Sequence, residues 1–230
     1  MVETLAPIVF FLLVAAIFAT VIWMFVHTFR RDRELRGDDT AERLHRFASQ
    51  RGWSYQRHGG LAPGSGLVGN SSARESTRVW DLVWGTHRGR NFRCFQHRRT
   101  SGDEDGRNTR YHRVFTVTLP DDVPDLQVTA VRWSPLWTRV RTTGDERFDR
   151  AFAVATSDER FAARVLTPEL RERMLAHPPP NGVVRLGGGE LTTWYKQTRA
   201  FDPESIEGVL DGLCDLLDRI PTVPAGERPE

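Results

Sequence analysis

An unbroken apolar run opens this chain, and shorter apolar repeats of two different periods follow it. From Leu5 to Val26 no residue is charged and nearly all are apolar, LAPIVFFLLVAAIFATVIWMFV. At ~1.5 Å rise per residue such a run spans roughly 33 Å as a helix, enough for a hydrocarbon core about 30 Å thick. The pattern predicts an N-terminal transmembrane helix over 1–27, with the lipid bilayer as its partner through residues 5–26. A cleaved signal peptide would need a basic flank, a shorter core and a small-x-small site, and Met1 to Thr4 offers no Lys or Arg. Arg30, Arg31, Arg33 and Arg36 follow the run, so the positive-inside rule puts everything after it in the cytoplasm, on a single-pass protein of the cell membrane. Residues 28–38 read as a charged juxtamembrane linker, 39–220 as one soluble domain and 221–230 as a disordered tail.

Beyond the run, helical period appears first. Asp39 with Glu42 suggests a capped start, Leu44, Phe47 and Ala48 form one stripe, and Gly52 closes the helix. Trp53 to Tyr55 begins a strand, and Gly59 to Ser76 reads as a long loop. Period two then takes over. Val79 to Val83 and Phe92 to Phe95 alternate about a turn at Thr86 to Gly89, and Tyr111 to Leu119 follows a polar loop over Thr100 to Asn108. With Leu126 to Trp133 these predict four adjacent antiparallel strands. Phe148, Phe152 and Val154 suggest one more, after an irregular stretch from Ser134 to Glu146.

Two helices are expected next, one capped by Thr156 with Glu159, the other by Thr167 with Pro168 at its first position and Pro178-Pro-Pro at its end. A hairpin over Val183 to Leu186 and Leu191 to Lys196 turns at three glycines. A last helix runs from a cap at Asp202 through Ile206, Val209, Leu210, Leu213, Leu216, Leu217 and Ile220 to Pro221. The fold class expected is therefore α+β, a transmembrane helix followed by an antiparallel sheet with several flanking helices.

Composition changes little except in its cations. The net charge is only +2, but Lys196 is the sole lysine among 32 Lys and Arg, a bias that by itself argues weakly for nucleic acid or phosphate. Cys94 and Cys214 read as core thiols. The run Phe148-Asp-Arg-Ala-Phe152-Ala-Val154, then Asp158, Phe161-Ala162 and Val165-Leu-Thr-Pro168, resembles single-span actinobacterial membrane proteins of unknown function, part of a wider bacterial domain-of-unknown-function family. The apolar run, the helix ending at Gly52-Trp53 and the Gly85-Thr-His-Arg-Gly89 turn share the resemblance, which implies an architecture and a bacterial source and no catalytic residue.

Chemical signals are sparse. His97 and His112 could face each other across neighbouring strands near Asp103, Glu104 and Asp105, but pairing guarantees two ligands where a metal needs three or four, so no metal is assigned. The glycine runs lack a Gly-Lys-Ser/Thr phosphate loop, and no Gly-x-Ser-x-Gly elbow exists, so no cofactor and no catalytic residue is assigned either. The strongest cluster is basic. Arg88, Arg90, Arg93, Arg98, Arg99 and Arg110, with Arg107 and Arg113, suggest a surface for anionic lipid headgroups or an acidic protein, against the plainer reading of a solvated sheet edge. The expected function is a binding or scaffolding module at the cytoplasmic membrane face rather than an enzyme. The alternative is a membrane-tethered enzyme with a site near the 86–113 hairpins and the 59–76 loop. Nucleic-acid binding, without the aromatic and basic strand motif of single-strand binders, ranks last.

Overall fold

The computed structural model describes residues 16–24, 26, 38–61, 78–103, 106–131, 142–198 and 201–220. Its frame is one eight-stranded sheet in the order β1-β2-β3-β4-β8-β7-β5-β6, antiparallel at every pairing. The strands are β1 (Ser54–Leu61), β2 (Arg78–His87), β3 (Arg90–Asp103), β4 (Gly106–Thr118), β5 (Leu126–Ala130), β6 (Phe152–Thr156), β7 (Val183–Gly187) and β8 (Glu190–Lys196). Among the described residues, the α-helices beside it are α1 (Asp38–Gln50), α2 (Glu146–Ala151), α3 (Glu159–Val165), α4 (Pro168–Ala176) and α5 (Ser205–Leu217).

The expected transmembrane helix does not stand among the described residues. Its described part, residues 16–24 and 26, is helical and exposed, while residues 1–15 and 25 lie outside the described residues. Among the described residues no helix is long and apolar enough to cross a membrane. This corrects the transmembrane part of the expected fold class, the single-pass location in the cell membrane, and the cytoplasmic side inferred from it. Apolar composition over 5–26 has the length for a span, but a span also needs an uninterrupted helix of that length, and no described element supplies one. The expected tail 221–230 and most of the 28–38 linker lie outside the described residues, as do 62–77 of the expected loop and 132–141 of the irregular stretch.

Strand alternation places one continuous apolar face across the sheet. Val83, Cys94, Phe115, Val117, Leu191, Leu186, Leu126, Val128 and Val154 all join the main core with Leu44 and Phe47 of α1 and Ile206, Leu210 and Leu213 of α5. A smaller cluster, Val79, Phe95 and Val114 with Leu82 and Trp194, forms separately from it. The four strands read as neighbours are not all adjacent. β4 pairs with β8, and the β7–β8 hairpin stands between β4 and β5. Nothing in a local hydrophobic pattern distinguishes a strand that pairs with its predecessor from one that leaves room for a later hairpin.

Local details depart in similar ways. β3 and β4 reach Asp103 and Gly106, so the expected 100–108 loop is mostly paired strand. Phe148 sits in α2, where Asp145 Oδ1 accepts from the Arg147 and Phe148 amides, and the strand begins only at Phe152. Asp158, not Thr156, caps α3 by accepting from the Phe161 amide at 3.0 Å. Thr167 caps α4 as expected, with Pro168 in its first turn. Gly85 carries no Cβ for a steric reason: one placed there would lie 2.6 Å from Trp53 Cδ1, and Trp53 also packs edge-on against Phe92 with ring centroids 4.7 Å apart.

Candidate functional site

The closing helix α5 organises the chemistry because its sequence carries three different faces. Successive residues turn by ~100° on a helix, which sets Ile206, Leu210 and Leu213 on one side, Glu207, Asp211, Asp215 and Asp218 on a second, and Gly208, Val209, Gly212, Leu216 and Arg219 on a third. The first face is buried in the core.

The acidic face meets the basic residues of the β2–β3 turn and the end of α1. Arg88, held at φ +50° by that turn, donates from Nη1 to Asp215 Oδ1 at 2.6 Å and from Nη2 to Asp218 Oδ2 at 2.9 Å. Arg90 lies 2.8 Å from Asp218, and His87 Nε2 is 2.8 Å from Asp211. Arg51 forks onto Glu207 at 2.7 and 2.9 Å. The hydrogen bond from Arg88 holds the Asp215 carboxyl below its usual range, and that from Arg51 does the same for Glu207.

The six arginines expected to form an anionic-partner surface therefore separate. Arg88 and Arg90 face α5, and Arg93 pairs with Glu190 of β8. Arg98, Arg99 and Arg110 lie on the distal half of the β3–β4 ribbon, Arg98 opposite Tyr111 and Arg99 opposite Arg110, with side chains outside the described part. Arg113, counted in the same basic stretch, is inside the protein. Its guanidinium is fully buried, stacks 3.9 Å above the Phe201 ring and donates from Nη1 to the Asp81 carbonyl at 3.4 Å. Asp81 is itself buried at φ +48°, where β2 is irregular, and its carboxylate accepts from the Tyr55 hydroxyl at 2.8 Å. Burial pushes the neighbouring Cys94 thiol up to about 12 despite the opposing effect of Arg113, and burial likewise raises the Tyr195 phenol to about 12. A thiol and a phenol so placed stay protonated at neutral pH and act as packing groups.

His97 and His112 are direct Cα partners, as the strand pattern suggests. Among the described residues no group of three or more His, Cys, Asp or Glu could hold a metal.

The third face of α5 lines a groove of about 350 Å³. Its opposite wall is the end of α4 and the turn after it, Arg173, Met174, His177 and Pro178 to Asn181. A Cβ at Gly212 would approach Pro180 Cγ to 2.8 Å, so this glycine lets α5 close on the proline run. A Cβ at Gly208 would meet nothing within 4 Å. Arg173 Nη1 lies 3.0 Å from His177 Nδ1, which an arginine can only donate to, and Asp215 is engaged by Arg88. The groove was not readable from the sequence. The Gly208/Gly212 spacing on an amphipathic helix was its one local signal.

A solved structure similar in fold is the crystal structure of the mycobacterial trehalose monomycolate transport factor A, TtfA. The TM-score is 0.52 at 14% identity, over 81% of this chain and 99% of that one. At that identity the likeness is one of fold. It agrees with the actinobacterial resemblance carried by the 148–168 motif. No protein-family model matches the chain, and no curated protein matches it.

Proposed function

We propose that this protein is an accessory binding factor in the transport of a cell-envelope lipid, and that the α4–α5 groove is where it engages a partner. The observation that carries the reading is the groove itself, an apolar floor with cations at its edge in a fold shared with a transport factor. Its ionisable side chains favour binding over reaction. Asp215 is held by Arg88 and His177 by Arg173, which leaves no carboxylate or imidazole aimed at the open volume with a second group to work against. The α5 clamp supports the same reading, since it ties the groove's inner wall to the β2–β3 turn and to Arg51.

Depletion of the protein in its actinobacterial host, followed by a pulse of radiolabelled trehalose, tests this. Labelled trehalose monomycolate should accumulate and its transfer into the outer envelope should slow. An unchanged distribution of label after full depletion would refute the transport role.

A further inference from the structure

We propose that the groove docks an acidic, amphipathic segment of a partner protein, its carboxylates meeting Arg173 and Arg219 and its apolar side chains lying over Gly208 against Val209 and Leu216. This deepens the binding-factor reading and rests on it.

Charge complementarity points to an acidic occupant. Arg173 and Arg219 stand on opposite walls; both act on Asp215 at longer range, but among the described residues neither has a carboxylate within 4 Å, whereas Arg88, Arg90, Arg93 and Arg51 all do. The groove's single acid, Asp215, is already bound at 2.6 Å by Arg88. An incoming carboxylate therefore meets two cations and one neutralised acid.

Gly208 is a second, independent sign. A glycine inside a helix costs roughly 0.5–1 kcal/mol relative to alanine. At Gly212 the close approach of Pro180 explains the residue, but at Gly208 the space beyond the missing Cβ is open. The fold gains nothing from its absence. What the absence does is deepen the groove by one side chain at its end in the first turn of α5, where another backbone or a bulky apolar side chain can enter.

Shape selects a protein segment over a lipid tail. The groove runs along α5 from Gly208 to Arg219 and is open on one side, and those eleven steps rise roughly 17 Å. An acyl chain there would leave much of its length wet. An amphipathic segment turns apolar residues inward and charged ones to the edge, the arrangement of a helix lying in a groove.

The test uses the full-length protein and a fluorescein-labelled sixteen-residue peptide of Leu and Glu at helical spacing, read by fluorescence anisotropy, with a Leu/Lys peptide and phosphatidylglycerol vesicles alongside. The Leu/Glu peptide should bind and the Leu/Lys peptide should not. Arg173→Gln with Arg219→Gln should weaken binding about twofold to thirtyfold, the range of two rim charge pairs, while Arg160→Gln on α3 should leave it unchanged. Gly208→Leu should abolish binding with no fall in melting temperature, because the new side chain enters open space. Full binding by the Gly208→Leu variant, or no binding of the acidic peptide by the native protein, would overturn the proposal. Vesicle binding sensitive to Gly208→Leu without peptide binding would assign the groove to lipid and also overturn it. A slow envelope transfer on depletion, combined with any of these, leaves the binding-factor reading standing while the occupant fails.

Discussion

A guanidinium ion taken from water into a protein interior loses several kcal/mol of hydration, which only charge partners and hydrogen bonds restore. Arg113 regains part of this through the Phe201 ring and the Asp81 carbonyl, but its Nε and Nη2 have no hydrogen-bond partner among the described residues. Removing such a charge while keeping its volume is therefore expected to leave stability unchanged or raise it. Arg113→Met should melt at or above the native temperature, whereas Arg113→Ala, which also opens a cavity beside Phe201, should melt lower. A melting temperature for the Met variant well below native would show that the guanidinium contributes more than its contacts suggest. The same residue marks a limit of reading charge from sequence: Arg113 shares its stretch with Arg88 and Arg110, and only the tertiary structure reveals that it points to Phe201 and not to solvent.

At the scale of elements, α5 is held by two unlike forces. Its apolar face buries Ile206, Leu210 and Leu213 completely, and its acidic face is clamped by the β2–β3 turn and Arg51. The clamp is partly exposed, so each pair contributes modestly. Its acid dependence has a definite sign. Asp215 is held below its ordinary 3.8 in the folded state, so its contribution is complete above that pH and disappears as pH falls through the lowered value. Asp215→Asn should melt below the native protein at pH 7, and the two melting temperatures should converge as pH drops below 3.8. Parallel curves from pH 7 to 3 would mean that Arg88 gains nothing from this partner. The stripe of α5 was legible from Ile206 to Leu217, as was the Thr167 cap of α4, because both depend on neighbours three or four residues apart. The α3 cap was misplaced from Asp158 to Thr156 for a related reason: Thr156 Oγ1 does accept from the Asp158 amide, but it ends β6 and donates to the Asp125 carbonyl.

For the whole molecule, the β7–β8 hairpin is what makes one sheet of two parts. β1 to β4 form a meander and β5 pairs with β6, and only β8 on β4 and β7 on β5 connect them. Leu191 of β8 is fully buried and lies opposite both Val117 of β4 and Leu186 of β7. Leu191→Ala should cost about 2–5 kcal/mol, and hydrogen exchange should quicken in β3 and β5 together. Faster exchange in β5 with β3 unchanged would mean that the two parts hold independently.

Short-range patterning by itself determined most of the helices and strands of this protein, the inward residues of α1 and α5, and the tight turns at Gly89 and Gly187 to Gly189, since each rests on period or local backbone conformation. Tertiary structure alone decided the sheet order, the burial of Arg113, the pairing of Arg88 and Arg90 with α5, and the groove beside Gly208. Those features join residues as far as 32 to 130 positions apart, and no local period carries information about which distant segment a strand or a charge will meet. The apolar run shows the same limit from the other side: composition over 5–26 has the length to span a bilayer, but among the described residues no helix is long and apolar enough to do so.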